Sequence, residues 1–332
     1  MIGFLFAASP KRLPRFFGGV AGVCGCVLPG NPLLARFGQH PDAEQIAKLR
    51  KEYGWDKPIY TQMGEFYWQL LTRGDLGMSL ARSNRSVAKE LRECVPATVE
   101  LAIAAIVLAI PLGIGAGLVA AVFRNRWPDR VGMMGALLGV SVPVFFLGIC
   151  LRELFPSLPT SQRLPPEILD FEPITGLYLV DTLLRGRLDW WLIAAKHLIL
   201  PALTLSTIPM AIIARITRSS VLDCLHADFV RTAKAKGASR WRVVLRHVLP
   251  TAAVPITNIA GLQVGALLSG AVLTETVFDW PGLGRYITTS VLGDKDYVAA
   301  QGAAIVVAVL FVSLNVVLDV VYVWLDPRIR ME

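Results

Sequence analysis

The chain has 332 residues, 54% of them hydrophobic and 17% charged, with a mean hydropathy of +0.53. Soluble globular chains carry about 25% charged residues, so this composition excludes an ordinary water-soluble domain, and so apolar a chain is not disordered. The net charge is +8, from 33 Lys+Arg against 25 Asp+Glu; in a membrane chain this points to asymmetric loop charge, not to nucleic acid.

At the N-terminus, Phe16–Leu28 is apolar but only 13 residues long, roughly 20 Å as a helix. It contains Gly18, Gly19, Gly22 and Gly25, and Lys11, Arg12 and Arg15 precede it. That basic flank and short apolar core resemble a signal peptide, yet no A-x-A-like cleavage site follows. The segment reads as a weak first transmembrane helix, with a re-entrant segment as the alternative, and Cys24 and Cys26 as small buried or lipid-facing residues. Residues 30–97 read as an outer, periplasmic helical segment. Within it, Asp42–Glu52 and Pro58–Arg73 have amphipathic spacing, and Val87–Cys94 forms a short helix at the bilayer surface.

Five longer apolar stretches follow. Crossing about 30 Å of hydrocarbon takes about 20 apolar residues. Leu101–Phe123 is 23 residues without a charge, and Val131–Leu151 is 21 with Pro143 inside. Leu198–Ala214 is 17 with Pro201 and Pro209, Thr251–Thr274 is 24, and Val298–Leu325 is 28 with one acid, Asp319. The expected fold is therefore all-α and integral to the membrane, with six transmembrane helices of which the first is weak. The division is an N-terminal segment 1–29, the outer segment 30–97, and a five-helix core 98–332.

Loop charge orients the core. Arg124–Arg130 carries three Lys/Arg in seven residues, and Arg215–Pro250 carries eight in 36. Short basic loops face the cytoplasm, so both lie inside, together with Arg328 and Arg330. Tyr178, Trp190, Trp191 and Trp280 fall near span ends, where aromatic belts are expected.

No G-x-x-x-x-G-K-[ST], H-E-x-x-H, G-x-S-x-G or C-x-x-C pattern occurs, and the four histidines are dispersed. The sequence thus supports no metal site, no bound cofactor and no catalytic centre. The loop 215–250 holds the informative pattern. Ala227–Lys236 reads as a helix stopped by Gly237, with Ser239 capping a second helix that begins near Arg240. On spacing alone, two readings stay open: a docking element for a cytoplasmic partner, or an ordinary basic loop.

This loop resembles the coupling loop of ABC-importer permeases, whose pattern is E-A-A-x3-G-x9-I-x-L-P. Ala233, Gly237, Leu249 and Pro250 match it, while Arg231, Thr232 and His247 depart from it. The run Phe229–Gly237 is close to the version in peptide and nickel permeases. Further blocks resemble the family in order: Gly74–Ser79, Pro96–Leu101, Leu200–Thr204, Glu275–Arg285 and Asp326–Arg330. The chain is similar to the first permease subunit of dipeptide, oligopeptide and nickel importers. Its N-terminus departs from that family, being short and interrupted by Pro10 and Pro14, as a mis-assigned start would make it.

The resemblance implies a type I ABC importer permease fold in the cytoplasmic membrane of a bacterium or archaeon. It implies three kinds of partner besides membrane lipid: a homologous second permease, cytoplasmic ATPase subunits that hydrolyse the ATP, and a periplasmic or lipid-anchored substrate-binding protein. The solute would be a dipeptide, an oligopeptide or a similar small molecule such as nickel or glutathione. By the same resemblance the ATPase-coupling helix is Ala227–Ser239. It carries Asp228, Arg231, Thr232, Ala233, Lys236, Gly237 and Ala238 and is backed by Leu249 and Pro250.

Within the spans, Gly113 and Gly117 have small-xxx-small packing spacing. Gly261, Gly265, Ser269 and Gly270 form a small-residue stripe that either lines the path or packs against a neighbour. Asp319, four residues after Asn315, is a functional candidate as an intramembrane acid; its structural reading is a pair with Arg215 or Arg218. An ion-coupled secondary transporter and a non-transporting membrane scaffold are the rival functions. The first should show repeats and paired intramembrane charges, and the second has no use for the loop around Gly237.

Overall fold

The computed structural model describes residue 51 and residues 56–79, 81, 85–165, 167–168 and 171–325. The expected first span at 16–28, nearly all of the amphipathic stretch 42–52 and the block 326–330 lie outside the described residues. Within them every regular element is helical, apart from one antiparallel bridge between Met78 and Ser86. In chain order the helices are α1 Ile59–Arg73, α2 Val87–Val122, α3 Trp127–Ser141, α4 Val144–Leu154, α5 Tyr178–Leu184 and α6 Leu188–Leu225. Then come α7 Asp228–Ala235, α8 Arg240–Val243, α9 Leu249–Val277, α10 Leu283–Thr288 and α11 Tyr297–Leu325. π-helical turns occupy Val244–Val248 and Thr289–Gly293.

Four described helical stretches are long and apolar enough to cross a membrane, and the bent pair α3–α4 makes a fifth if counted as one span. The helices outrun the apolar stretches that announce them. α2 has 36 residues and α6 has 38, about 54 and 57 Å, so both project well beyond the hydrocarbon. Consequently Val87–Cys94 is not a separate surface helix but the first turns of α2, continuous through Pro96.

A second departure is at Pro143. The stretch Val131–Leu151 is not one straight span: α3 ends at Ser141, and α4 starts at Val144 bent by 112°. Proline drives the residue before it out of the helical region, and Val142 is extended, with φ −81° and ψ 125°. Pro250 is handled differently. In an α-helix its ring would clash with the carbonyl of Arg246 and leave that carbonyl without a donor. The wider π turn Val244–Val248 lies directly before it, and the helix continues through α9 with Pro250 in its first turn.

The chain forms two compact units. The first holds α1, α2 as far as Val95, α10, and α11 as far as Val316. Its core is Leu76, Val87, Leu91, Leu283, Tyr286, Ala299 and Ala303. Buried Asp296 accepts hydrogen bonds from Ser79 Oγ at 2.6 Å and from the N–H of Ala299 at 3.0 Å. It thereby caps α11 and fixes the Gly74–Ser79 block.

The second unit holds the rest of α2, then α3 to α9, with α6 packed against α3, α4, α5 and α9. Gly113 and Gly117 make the close approach of α2 to α6. A Cβ at Gly113 would lie 2.8 Å from the Met210 carbonyl oxygen, and one at Gly117 would lie 2.7 Å from Thr217 Cβ. At Gly115 nothing lies within 4 Å. In this unit large apolar side chains stand exposed along α3, α4 and α9, among them Met134, Leu137, Phe146 and Leu262. Such an outer surface suits lipid as the solvent.

A polar cluster closes one end of the second unit. Arg163 and Glu100 form a buried ion pair, with Arg163 Nη2 also donating to Gly176 O at 2.7 Å. The Arg163 guanidinium lies 3.5 Å above the Tyr178 ring, and Glu100 Oε1 accepts the Leu179 N–H at 2.8 Å. Thr98 Oγ1 donates to Glu275 at 2.6 Å, and Trp280 Nε1 donates to Ala97 O at 2.9 Å. Trp280 is therefore a buried anchor and not part of an aromatic belt, because its indole N–H has an internal acceptor. Asp181 organises the segment before α5. Burial pushes its carboxyl upward, but hydrogen bonds from Thr175 Oγ1 and the N–H groups of Thr175, Gly176 and Ile174 outweigh that and hold it below the usual carboxylate range.

Candidate functional site

The loop between α6 and α9 is built from short elements with defined ends. α6 stops at Leu225, where His226 turns the chain: its N–H reaches Asp223 O, and its Nδ1 lies 2.8 Å from Leu222 O. Ala227 is extended, with ψ 151°, and α7 runs from Asp228 to Ala235. Asp228 sits in its first turn, where a negative charge complements the helix dipole. Arg231 lies 3.5 Å from Asp228, but both are almost fully exposed, so the pair adds little stability.

The end of α7 is a Schellman motif. Gly237 N–H donates to Lys234 O at 2.9 Å, and Ala238 N–H donates to Ala233 O at 3.2 Å. This requires a left-handed residue at position 237, where φ is +78°. A Cβ there would meet nothing within 4 Å, so the demand for glycine is conformational and not one of space. Ser239 stands at the N-cap of α8, extended at ψ 152°, but makes no side-chain capping bond. The expected position is right and the expected hydrogen bond is absent.

Val230 pins α7 to the body, fully buried in a cluster with Leu118, Val122, Val221, Val243 and Val248. Ala233, Ala238 and Leu249 pack against the same cluster. Asp228, Phe229, Arg231, Thr232, Lys234, Lys236 and Ser239 are exposed. A short helix held by one valine and the alanine one turn on, capped at its C-terminus and otherwise bare, is a rigid projection. Behind it, Arg240 Nη2 donates to Val122 O, and Trp241 meets Phe123 edge-on at 6.4 Å. These contacts tie the loop to the end of α2.

The remaining candidates scatter. Gly261 and Gly265 are buried in α9. Ser269 lies on the same helix and Asp319 on α11, but the side chains of both lie outside the described residues. Arg215 is exposed, and Arg218 is gripped by Asp129, at 2.6 Å from Nε to Oδ1 and 2.8 Å from Nη2 to Oδ2. Sequence reasoning missed this pair and the Glu100–Arg163 pair. The available signal for the first was an acid standing alone among Arg124, Arg126 and Arg130. Asp296 was also missed, although an Asp directly before a long apolar run is an N-cap signal. Among the described residues no cluster of His, Cys, Asp and Glu could hold a metal ion.

Comparison with known proteins shows the family and the fold. A family model described as "Binding-protein-dependent transport system inner membrane component" matches residues 90–331. The chain is 42% identical over 311 residues to the dipeptide transport system permease protein DppB of Alkalihalophilus pseudofirmus, covering 92% of this chain and 91% of that one. It is 42% identical over 320 residues to the probable D,D-dipeptide transport system permease protein DdpB of Escherichia coli strain K12, covering 93% of each. In fold it is similar to a chain of the inward-facing MetNI methionine ABC transporter. The TM-score is 0.54 at 14% identity, over 72% of this chain and 97% of that one.

Proposed function

The chain belongs to the family of binding-protein-dependent transport system inner membrane components, and from that premise we propose how it works as the membrane-spanning permease of an ABC importer for dipeptides or oligopeptides. It is a multi-pass protein of the inner membrane. ATP is hydrolysed on separate cytoplasmic subunits, and a substrate-binding protein delivers the peptide from outside. A second, homologous permease completes the path.

The observation that carries the coupling role is the exposed, capped α7. A partner surface closing on ATP pushes against Asp228–Lys236. Because Val230 is buried and Gly237 holds the C-terminal cap, the helix moves as a unit and does not unwind. Its displacement reaches α9 through Val243, Val244 and Val248 in the shared core, and it reaches α6 through the two-residue connection His226–Ala227. Rocking of these spans against those of the second permease then opens the path alternately to each side. The permease supplies motion and a route; the binding protein supplies most of the selectivity.

The test is uptake of labelled dialanine by proteoliposomes holding the complete complex, with ATP on the cytoplasmic side. Uptake should require ATP and the binding protein. Gly237→Arg should abolish it while the protein remains in the membrane at normal level. ATP-independent uptake driven by an ion gradient, or a normal rate in Gly237→Arg, would overturn the reading.

A further inference from the structure

We propose that Asp129 and Arg218 form the strut that carries motion of the coupling helix into the bent pair α3–α4. This makes them a positioning pair and not a contact for substrate or ATPase, and it rests on the coupling role assigned to α7. Arg218 lies on α6 seven residues before its end at Leu225, and only His226 and Ala227 separate that end from α7. Whatever displaces α7 therefore displaces the stretch of α6 that bears Arg218.

Asp129 stands in the first turn of α3. Both its oxygens face the guanidinium in a two-pronged ion pair, the geometry that fixes orientation as well as distance. Oδ2 also accepts the Asn125 N–H at 2.9 Å, within a turn where Asn125 has φ +64°. One carboxylate thus holds α6, the start of α3 and the turn leaving α2.

Elsewhere α3 packs along α6 through ordinary side-chain contacts. The buried residues of α3 are Asp129 and Ala136, and at Gly139 an added Cβ would come into ordinary contact with Ala211 Cβ and Thr207 O of α6, both at 3.6 Å. Non-directional contacts between small side chains can slide, whereas a charge-assisted fork cannot without breaking two hydrogen bonds. A buried acid is costly unless paired, so Asp129 and Arg218 are expected to stay together as the helices move. α3 is then drawn along with α6, and beyond the 112° bend α4 follows.

The test uses the full reconstituted complex and reads labelled dialanine transported per ATP hydrolysed. Asp129→Asn keeps an acceptor for the Asn125 N–H while removing the charge, and Arg218→Lys keeps the charge while losing the fork. In Asp129→Asn the ratio should fall about fivefold or more, with ATP hydrolysis near the wild-type rate. Arg218→Lys should show a smaller fall, and the double variant Asp129→Asn/Arg218→Gln should be no worse than Asp129→Asn alone. If the ratio is unchanged, or if transport and hydrolysis fall together in proportion to folded protein, the pair is only a tether and the strut is overturned. A wild-type complex lacking ATP-driven uptake would instead overturn the coupling reading and the strut with it.

Discussion

Gly237 announces itself because a glycine after a short helical run is a local signal, and it occupies the left-handed position such a signal specifies. Glu100 and Arg163 do not announce themselves. Glu100 reads as the polar edge of a span and Arg163 as one base of an outer loop, yet they pair across 63 positions. No local pattern encodes that meeting. Asp181 is similarly silent, since three N–H groups and a hydroxyl converge on it only after the segment 174–181 has turned. Its carboxyl is depressed in the folded state, so its stabilising effect is full above the unfolded value near 4 and lost as pH falls through the folded value. Melting of the detergent-solubilised chain should show Asp181→Asn less stable than wild type at pH 6. That gap should be clearly smaller at about pH 3. A gap of equal size at both values would contradict the assignment.

Helices reveal themselves through hydropathy, but only their membrane-embedded parts do so. Each of the four described spans, and the bent pair α3–α4, was readable from its apolar run. The ends were not, because α2 and α6 continue into water where composition no longer distinguishes helix from loop. The break at Pro143 was visible as a proline, whereas its consequence, a 112° bend, was not. Proline in a span is tolerated when neighbours re-satisfy the backbone, and sequence does not say which case applies. The small-residue spacing of Gly113 and Gly117 was readable and corresponds to a real contact with α6. Gly117→Leu should force backbone apart and cost about 1–3 kcal/mol or more, seen as loss of monodisperse protein in gel filtration. Gly115→Ala, facing open space, should be neutral by the same assay. Equal tolerance at both positions would contradict the packing.

For the molecule as a whole, excess positive charge and excess apolar surface have one explanation. The apolar residues face lipid and the helix contacts. Many of the basic ones gather in short loops between spans, eight of them between Arg215 and Pro250, where the positive-inside rule expects the cytoplasmic side. Fold class and membrane setting followed from composition and hydropathy. The transport role followed from resemblance in the loop, and the way the loop is held, by Val230 beneath and a Schellman cap behind, required the structure. The most direct measurement is co-purification of the cognate ATPase with this chain after extraction in mild detergent. A comparison chain would have residues 227–239 replaced by a flexible Gly/Ser linker of equal length. The ATPase should accompany the wild-type chain and be lost with the linker chain, while the second permease is retained by both. Retention of the ATPase at wild-type stoichiometry by the linker chain would contradict the assignment of α7 as the coupling element.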